Sequence, residues 1–445
     1  MPQLMELPNE TLEQIMESFF PDDIDSFSVC CKHFYVLSAR KFPSHKDMKN
    51  HYSRVSYLNV NSRTDHPLRL LQALCENPDR AMYVKNWSMD SVELYNHPKE
   101  LRDIADDLQE ELQTIVNSFT YLTAEEKETW IQRIQSGRPG PAAALAAFML
   151  PCLERLVVDD GHEKLEMLEE LMVAAARPGH TPRAKALGKL SHVCLIWDRT
   201  FEQDGRSERH FKPFASLIHL STGLPSMRRF EASGIIDTGD KWPATHSKST
   251  LKQLFLHRCE LRPETLRQII GSIAALQEFS YDFYLEDDTD HLQALKEIVQ
   301  SLLLSASHSL ISLDLTEHWH KSSGSIHACL FIGSLRGFQL LTEIRVEYRM
   351  FVENYPQYSV RGVRTHRMID ILPVTTEMVT LTGPMMDKED VARLVGGLGK
   401  HKAKKLPQLE KVRWESTKSI AELKPFKTLF SNVKGIEFIL RRMPC

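Results

Sequence analysis

Residues 251–259 read LKQLFLHRC, and this short stretch decides the fold predicted for the chain. Leu251, Leu254 and Leu256 follow the spacing apolar, two residues, apolar, one residue, apolar. Phe255 and His257 alternate with the leucines, as expected for a β-strand with one buried face. A single strand of this length cannot bury its apolar side without neighbours. The rest of the chain must therefore provide neighbouring strands or helices for it.

Copies of the unit recur at intervals of 24 to 37 residues, and the intervals contain helical patterns such as those at 263–273 and 292–303. Repetition at such a period is the signature of a solenoid, and strand–helix repeats predict right-handed crossovers and a parallel sheet. The copies are Leu153-Leu156-Val158, Leu190-Val193-Leu195, Met227-Phe230-Ala232, Leu251-Leu254-Leu256, Leu276-Phe279-Tyr281, Leu310-Leu313-Leu315 and Leu341-Ile344-Val346, with weaker ones at Met378-Leu381-Gly383, Leu409-Val412-Trp414 and Val433-Ile436-Phe438.

The unit resembles the leucine-rich repeat in a degenerate form. The Asn or Cys that the family places after the strand is mostly missing, and Cys259 is the copy that keeps it. The alternative interpretation is an ordinary α/β domain in which the matches are accidental. Val84-Trp87-Met89 precedes the series by 69 residues, which leaves space for a helical insert. Within that insert the pattern predicts one continuous helix over 98–119, and Thr123 with Glu126 predicts a capping box for the next helix.

The residues that alternate with the apolar positions face the other side of the sheet, which is the concave side of a solenoid. Arg and aromatic residues dominate binding hot spots, so this face is the predicted binding surface. For Phe255, partial cover by a neighbouring repeat is an equal alternative. We predict that a target protein contacts Phe255, His257, Asp314, Arg345 and Arg413. The face also includes Arg155, Val157, Asp159, Arg229, Glu231, Ser233, Gln253, Ser312, Thr316, Glu343, Glu347, Lys411 and Glu415.

The N-terminal stretch 7–40 reads LPNETLEQIMESFFPDDIDSFSVCCKHFYVLSAR. Apolar residues at helical spacing predict a first helix, Pro21 ends it, and two further short helical runs follow. Three helices in about 35 residues cannot bury enough apolar surface to form a stable core alone. Units of this size usually need a covalent cross-link, a metal or a partner. The apolar surface that remains exposed predicts a docking site.

This stretch resembles an F-box. The family pattern is matched by Leu7-Pro8-Asn9-Glu10, by Pro21-Asp22-Asp23-Ile24 and by Val29-Cys30-Cys31-Lys32-His33-Phe34, which has one cysteine more than the usual Val-Cys-Lys. A generic helical hairpin is the alternative. The resemblance implies docking to a Skp adaptor, with Ile15 and Phe34 the likeliest to hold the helices together instead. The docking residues carried over from the family are Leu7, Pro8, Glu10, Ile15, Ile24, Val29, Cys30 and Phe34.

The predicted fold class is α/β, with an N-terminal three-helix F-box at 1–42, a connector at 43–80 and an irregular leucine-rich-repeat-like solenoid with a parallel sheet at 81–445, carrying a helical insert at about 95–150. The resemblance implies a substrate-recognition subunit of a Skp–cullin–F-box ubiquitin ligase that does no covalent chemistry. Its partners would be the Skp adaptor, cullin through it, and an unknown target protein. The alternatives are an F-box/repeat scaffold without a role in degradation and an unrecognised enzyme in the repeat region.

Composition narrows the function classes. A net charge of −4 does not favour binding to nucleic acid or to an anionic membrane. No run of apolar residues approaches the 18 that a membrane-spanning helix needs. The N-terminus lacks the features of a signal peptide, and the eight cysteines form no CxxC pair. We therefore expect reduced cysteines, a cytoplasmic or nuclear location, and no nucleic acid, membrane or cofactor partner.

Three segments contain residue types found in metal or phosphate sites, and each has a simpler interpretation. His318-Trp319-His320 contains two possible metal ligands but no evident third ligand, so we expect this segment to be a loop at the rim of a repeat. The acidic run 286–290 lacks the glycine and terminal glutamate of a calcium loop. The glycines of 396–399 follow a helix, so a helix C-cap and a basic turn are expected rather than a phosphate cradle. No catalytic site and no metal site are predicted.

Overall fold

The computed structural model describes residues 7–18, 23–56, 66–89, 98–120, 122–136, 139–159, 167–171, 173, 187–196, 224–235, 237, 248–259, 261–283, 291–317, 331–353, 364–383, 388–416 and 433–442. By their internal contacts the residues fall into two compact units, 1–191 and 192–445. The two histidines at 318 and 320, the acidic run 286–290 and the first residues of the Pro-Asp turn at 21–22 lie outside the described residues. In the described residues, no helix is both long and apolar enough to cross a membrane.

The first unit begins with the predicted helices α1 (Asn9–Ser18), α2 (Ile24–Ser28) and α3 (Lys32–Ser38). They are followed by α4 (Phe42–Tyr52), β1 (Arg54–Ser56), α5 (Pro67–Glu76), a 3₁₀ helix (Pro78–Met82) and β2 (Asn86–Met89). The helical insert then comprises α6 (Pro98–Asp107), α7 (Gln109–Ser118), α8 (Ala124–Gln135) and α9 (Pro139–Met149), before β3 (Arg155–Asp159). The three strands pair in parallel, with Val55 beside Trp87 and Trp87 beside Leu156.

Local sequence explains these helices. Thr123 and Glu126 form the predicted capping box, each bonding the backbone N–H of the other. The helix α9 is apolar on all sides and is buried nearly throughout, as such a helix must be. The single helix predicted over 98–119 is wrong in detail, because Leu108 (φ −93°, ψ 7°) separates α6 from α7. The hydrogen bonds from Leu108 to Ile104 and from Leu112 to Leu108 continue across this point, so the break is a local distortion.

The second unit carries the repeats. Its strands are β4 (His192–Ile196), β5 (Arg229–Ser233), β6 (Gln253–Cys259), β7 (Glu278–Phe283), β8 (Ser312–Glu317), β9 (Glu343–Glu347), β12 (Met378–Thr382), β13 (Lys411–Ser416) and β14 (Glu437–Arg442), which pair in this order in an open parallel sheet. A separate antiparallel pair is formed by β10 (Val352–Glu353) and β11 (Arg364–Thr365). The helices are α10 (Pro263–Gly271), α11 (His291–Ala306), α12 (Met368–Ile371), α13 (Lys388–Leu394) and α14 (Leu398–Lys405), with a 3₁₀ helix at Tyr348–Phe351.

The predicted repeat positions form the core of this unit. Leu251, Leu254 and Leu256 are fully buried, and the equivalent residues of the neighbouring repeats lie beside them. Each buried strand position thus packs against the same position of the next repeat. This stacking is what lets strands of five to seven residues close a core together.

Two of the weaker copies were predicted in the wrong frame. Val379 and Leu381 are the inward residues of β12, and they align with Ile344 and Val346 rather than two residues later. The first position of that repeat is therefore Thr376, which is buried and donates its hydroxyl hydrogen bond to the Pro373 carbonyl. Because a polar residue occupies a position that is apolar in the other repeats, the hydrophobic pattern placed the start of this repeat two residues too late.

The last copy shows the same shift. Phe438 and Leu440 of β14 pair with Val412 and Trp414, so the first position of this repeat is Gly435 rather than Val433. Gly435 has a φ of +76°, a left-handed conformation that glycine adopts at little cost. Gly397 likewise has a φ of +84° and immediately precedes α14. The predicted basic turn after residue 399 is therefore wrong, because its lysines lie on the helix α14.

Candidate functional site

The N-terminal helices α1, α2 and α3 enclose a small apolar core of their own. Leu12, Met16 and Ile24 have almost no exposed surface, and Phe27 stacks on Phe34 with ring centroids 4.2 Å apart. Cys31 is the N-cap of α3, where its Sγ accepts a hydrogen bond from the Phe34 backbone N–H. We call this three-helix assembly the head.

The stretch 29–36 of the head exposes three apolar side chains. Val29 is 80% exposed, Tyr35 57% and Val36 59%, and together we call them the head patch. These are three of the eight large hydrophobic residues that are exposed in the described part of the chain. Their concentration within eight residues of sequence is unlike the scattered exposure that a monomer's surface normally shows.

The predicted adaptor-binding residues divide into two groups. Pro8, Glu10, Val29 and Cys30 are exposed, while Leu7 and Ile15 are partly buried. Ile24 and Phe34 belong to the core of the head and offer no surface in this conformation. Tyr35 and Val36 were not predicted as docking residues, although they follow the buried Phe34 by one and two positions and so turn away from it along α3.

A chain of polar groups, of which His45 and Tyr83 are buried, connects the head to α4 and to the end of the following 3₁₀ helix. The His45 imidazole lies 3.3 Å from Asp25 through Nε2 and 3.0 Å from the Tyr83 hydroxyl through Nδ1. Lys49 also bonds Asp25, and this hydrogen bond is the main cause that lowers the Asp25 pKa. Burial raises the pKa of Tyr83. With His45 and Tyr83 inaccessible to solvent, the chain fixes α2 against α4 and offers no route for a substrate.

The polar side of the sheet in the second unit gathers the residues predicted to bind a target. We call it the polar face and define it by the strand positions that alternate with the buried ones. Side chains on adjacent strands stand beside one another in register, as Asp314 does beside Arg345. Its middle row runs through Cys194, Glu231, Phe255, Ser280, Asp314, Arg345, Thr380, Arg413 and Ile439.

Phe255 is covered in part by a residue of the neighbouring repeat. The Arg229 guanidinium lies 4.6 Å from the centroid of the Phe255 ring, a cation–π arrangement. Arg229 also forms an ion pair with Glu231, and the His192 Nε2 is 3.6 Å from the same carboxylate. His192 and Arg229 together lower the pKa of Glu231 to about 2. Phe255 therefore keeps part of its ring accessible beside an ion pair.

The other charged residues meet around Arg345. Its guanidinium links carboxylates on β8 and β13, reaching across β12, with Nη1 3.1 Å from Asp314 and Nη2 3.2 Å from Glu415. Burial lowers the Arg345 pKa, but the two carboxylates raise it by more, so the group stays charged. Burial raises the pKa of Asp314 against the lowering effect of Arg345. The pKa of the exposed His257 is lowered, because partial desolvation by neighbouring groups outweighs the attraction of Asp314 and Glu231.

Of the five predicted target-binding residues, the structure joins Asp314 and Arg345 in direct contact, while Phe255 and His257 stack with centroids 6.4 Å apart. Arg413 lies near the former pair, with its Nη1 4.0 Å from Glu415. Glu415 and Arg441 also belong to this cluster, although neither was predicted to contact a target. The alternation within β13 placed Glu415 on this face, but nothing local indicated that it would bridge three arginines.

A cavity of about 450 Å³ lies within the first unit, between α5 and α6. Arg80 occupies one wall, where it bonds the Ala73 carbonyl and Glu76. The described residues contain no group of three side chains suited to holding a metal ion. The cavity is lined by Tyr52, Arg69, Gln72, Ala73, Glu76, Arg80, Asp103, Ile104 and Asp107.

A comparison with protein-family models matches residues 104–435, well over half of the chain, to the model described as a leucine-rich repeat domain. The same comparison finds no F-box model on this chain. The comparison with curated proteins found no match.

Proposed function

The chain belongs to the leucine-rich repeat domain family, and from this premise we propose that it is the substrate receptor of a Skp–cullin–F-box ubiquitin ligase. In this proposal the head docks the Skp adaptor and the repeats hold a target protein. The observation that carries it is the head patch, an exposed apolar surface on a small three-helix unit whose sequence follows the F-box pattern. A ligase of this kind would act in the cytoplasm or the nucleus.

The F-box-like residues comprise buried residues that hold the head together and exposed residues that a partner can reach, which supports this assignment. Ile24 and Phe34 keep the head folded, so the exposed Pro8, Val29 and Cys30 are available for a partner. Val29 stands almost entirely in water, and burying a valine side chain contributes on the order of 1.5–3 kcal/mol. An apolar side chain so placed has no stabilising role in the isolated chain and gains its contribution only in a complex.

The receptor would do no covalent chemistry. By holding a target near a charged ubiquitin carrier, it would convert a bimolecular encounter into an effectively intramolecular one. The polar face suits the holding role, since it combines a partly accessible aromatic ring with arginines whose positions are fixed by ion pairs. Such fixed side chains lose little conformational entropy when a partner binds.

The test is co-purification of the full chain with the Skp adaptor. The variant Leu7→Ala/Pro8→Ala is expected to weaken adaptor binding by several-fold to about a hundredfold, because anchors of this kind contribute on the order of 1–3 kcal/mol each. Unchanged binding, or no binding by the wild type, would remove the F-box assignment. Since Leu7 packs partly on the head core, a circular dichroism spectrum must show that the variant is folded.

A second arm separates a degradative receptor from a scaffold. If the adaptor binds, cells expressing the chain are treated with an inhibitor of cullin activation, and proteins captured by the repeats are followed over time. Stabilisation of a captured protein supports the ligase. Adaptor binding with no protein stabilised would assign the chain to a scaffold without a role in degradation.

A further inference from the structure

Three arginines converge on one carboxylate at the end of the polar face. Arg345 reaches Glu415 at 3.2 Å, while the Nη1 atoms of Arg413 and Arg441 lie 4.0 and 3.9 Å from its Oε1. Glu415 is nearly buried beneath them, with a side chain 9% exposed, whereas Arg441 is 67% exposed. We call Arg345, Arg413, Arg441 and Glu415 the arginine cluster.

Two of these guanidinium groups have unused hydrogen-bond donors. The separations of 4.0 and 3.9 Å exceed hydrogen-bonding range, so Arg413 and Arg441 feel the charge of Glu415 without donating to it. Among the described residues neither makes a side-chain hydrogen bond. Arg345 differs, since Asp314 and Glu415 already accept from both of its terminal nitrogens. The open donors thus lie on the adjacent strands β13 and β14.

The charges of the cluster do not balance. Arg345, Arg413 and Arg441 face Asp314 and Glu415, which leaves one positive charge in excess. The neighbouring Glu347 is paired with Arg349 at 3.5 Å and adds nothing to the sum.

Three further charged residues lie at the other end of these strands. Lys411 and Glu437 stand side by side in register, and their opposite charges offset each other. Glu343 lies two positions before Arg345, roughly 7 Å along the strand, but it is exposed and screened by solvent, so it offsets the excess positive charge only in part.

The excess charge selects the chemistry of the ligand. A carboxylate carries one negative charge, and guanidinium groups bind it through paired hydrogen bonds. A phosphate group carries nearly two negative charges, so the adjacent Glu415 repels it more strongly than it repels a carboxylate.

We propose that the arginine cluster binds an aspartate or glutamate side chain of the partner protein through Arg413 and Arg441. This inference rests on the proposed role of the repeats in protein binding and specifies the chemistry of the partner. It does not depend on the head or on the adaptor.

The experiment measures fluorescence anisotropy of labelled dodecapeptide pools with the full chain. Each pool has one fixed central residue, which is glutamate, glutamine, lysine or phosphoserine, and all other positions are degenerate. We expect the glutamate pool to bind most tightly, and Arg413→Gln/Arg441→Gln to weaken its binding by about tenfold. Equal binding of the glutamate and glutamine pools, or tightest binding of the phosphoserine pool, overturns the proposal.

Two matched variants distinguish recognition from an effect on folding. Arg442→Gln removes the same charge at the next residue of β14, on the other side of the sheet by alternation, and should leave glutamate-pool binding within about twofold. Glu415→Gln removes the competing carboxylate and should tighten binding by several-fold. Weaker binding by Glu415→Gln would show that the cluster is a structural ion-pair network and overturn the proposal.

The two proposals fail separately. Because no adaptor is present in the peptide assay, loss of the F-box assignment leaves its result unchanged. Conversely, adaptor binding by Arg413→Gln/Arg441→Gln should equal that of the wild type, whatever the peptide pools show.

Discussion

Replacing Val29 and Val36 by serine removes both valine side chains of the head patch without touching the core of the head. Val29 is 80% exposed and Val36 59% exposed, so the folded chain gains little from either side chain. Exposed substitutions of this kind usually change the free energy of unfolding by less than about 0.5 kcal/mol. The variant should therefore fold as the wild type does.

The expected loss of adaptor binding follows from the exposed surface. Complete burial of a valine contributes about 1.5–3 kcal/mol, and scaling by the exposed fractions gives roughly 2–4 kcal/mol for the two residues. Ordering of side chains at an interface offsets part of this gain. A net loss of about 2–3 kcal/mol corresponds to an affinity weakened roughly 30- to 150-fold.

The assay is biolayer interferometry with the Skp adaptor immobilised and the full chain in solution. Val374→Ser is the matched control, because Val374 is 55% exposed but lies in the second unit. The control should bind as the wild type does. If Val29→Ser/Val36→Ser keeps wild-type affinity while its circular dichroism spectrum is unchanged, the head patch is not the docking surface.

Further predictions concern stability. Because the Glu231 pKa is lowered from 4.5 to about 2 in the fold, its charge stabilises the protein above pH 4.5, and this contribution is lost as the pH falls toward 2. Glu231→Gln should therefore cost about 2 kcal/mol in urea unfolding at neutral pH, and the difference should shrink with acid; a constant difference would contradict it. Phe34→Ala should cost about 3–5 kcal/mol and expose the amides of the head to hydrogen exchange, whereas protection like that of the wild type would argue against the stacked Phe27–Phe34 core. Thr123→Ala should cost about 1 kcal/mol in urea unfolding through loss of the capping box, and Thr123→Ser, which keeps the hydroxyl, should restore it.

Local pattern was sufficient where burial follows hydrophobicity. The spacing of Leu251, Leu254 and Leu256 predicted a buried strand, and copies of it predicted the parallel sheet that the second unit contains. The prediction failed where the first position of a repeat is not hydrophobic. Thr376 satisfies its hydroxyl through the Pro373 carbonyl and so occupies an apolar position, which no hydrophobic pattern reveals.

The head shows the same division between what is local and what is not. Its sequence predicted three helices, because prolines, caps and apolar spacing act within a few residues. The consecutive cysteines could not be assigned from the sequence. Packing decided that Cys31 caps α3 while Cys30 remains exposed, since only one register brings Phe34 onto Phe27.

By itself the sequence determined where the strands lie and which residues alternate onto the polar face, because both depend on the two-residue period of a strand. Only the tertiary structure decided how those residues combine. Arg345 and Glu415 are 70 residues apart in the chain, and they meet because parallel pairing places β9, β12 and β13 side by side. Charge pairing depends on separation in space, and the stacking of whole repeats sets that separation.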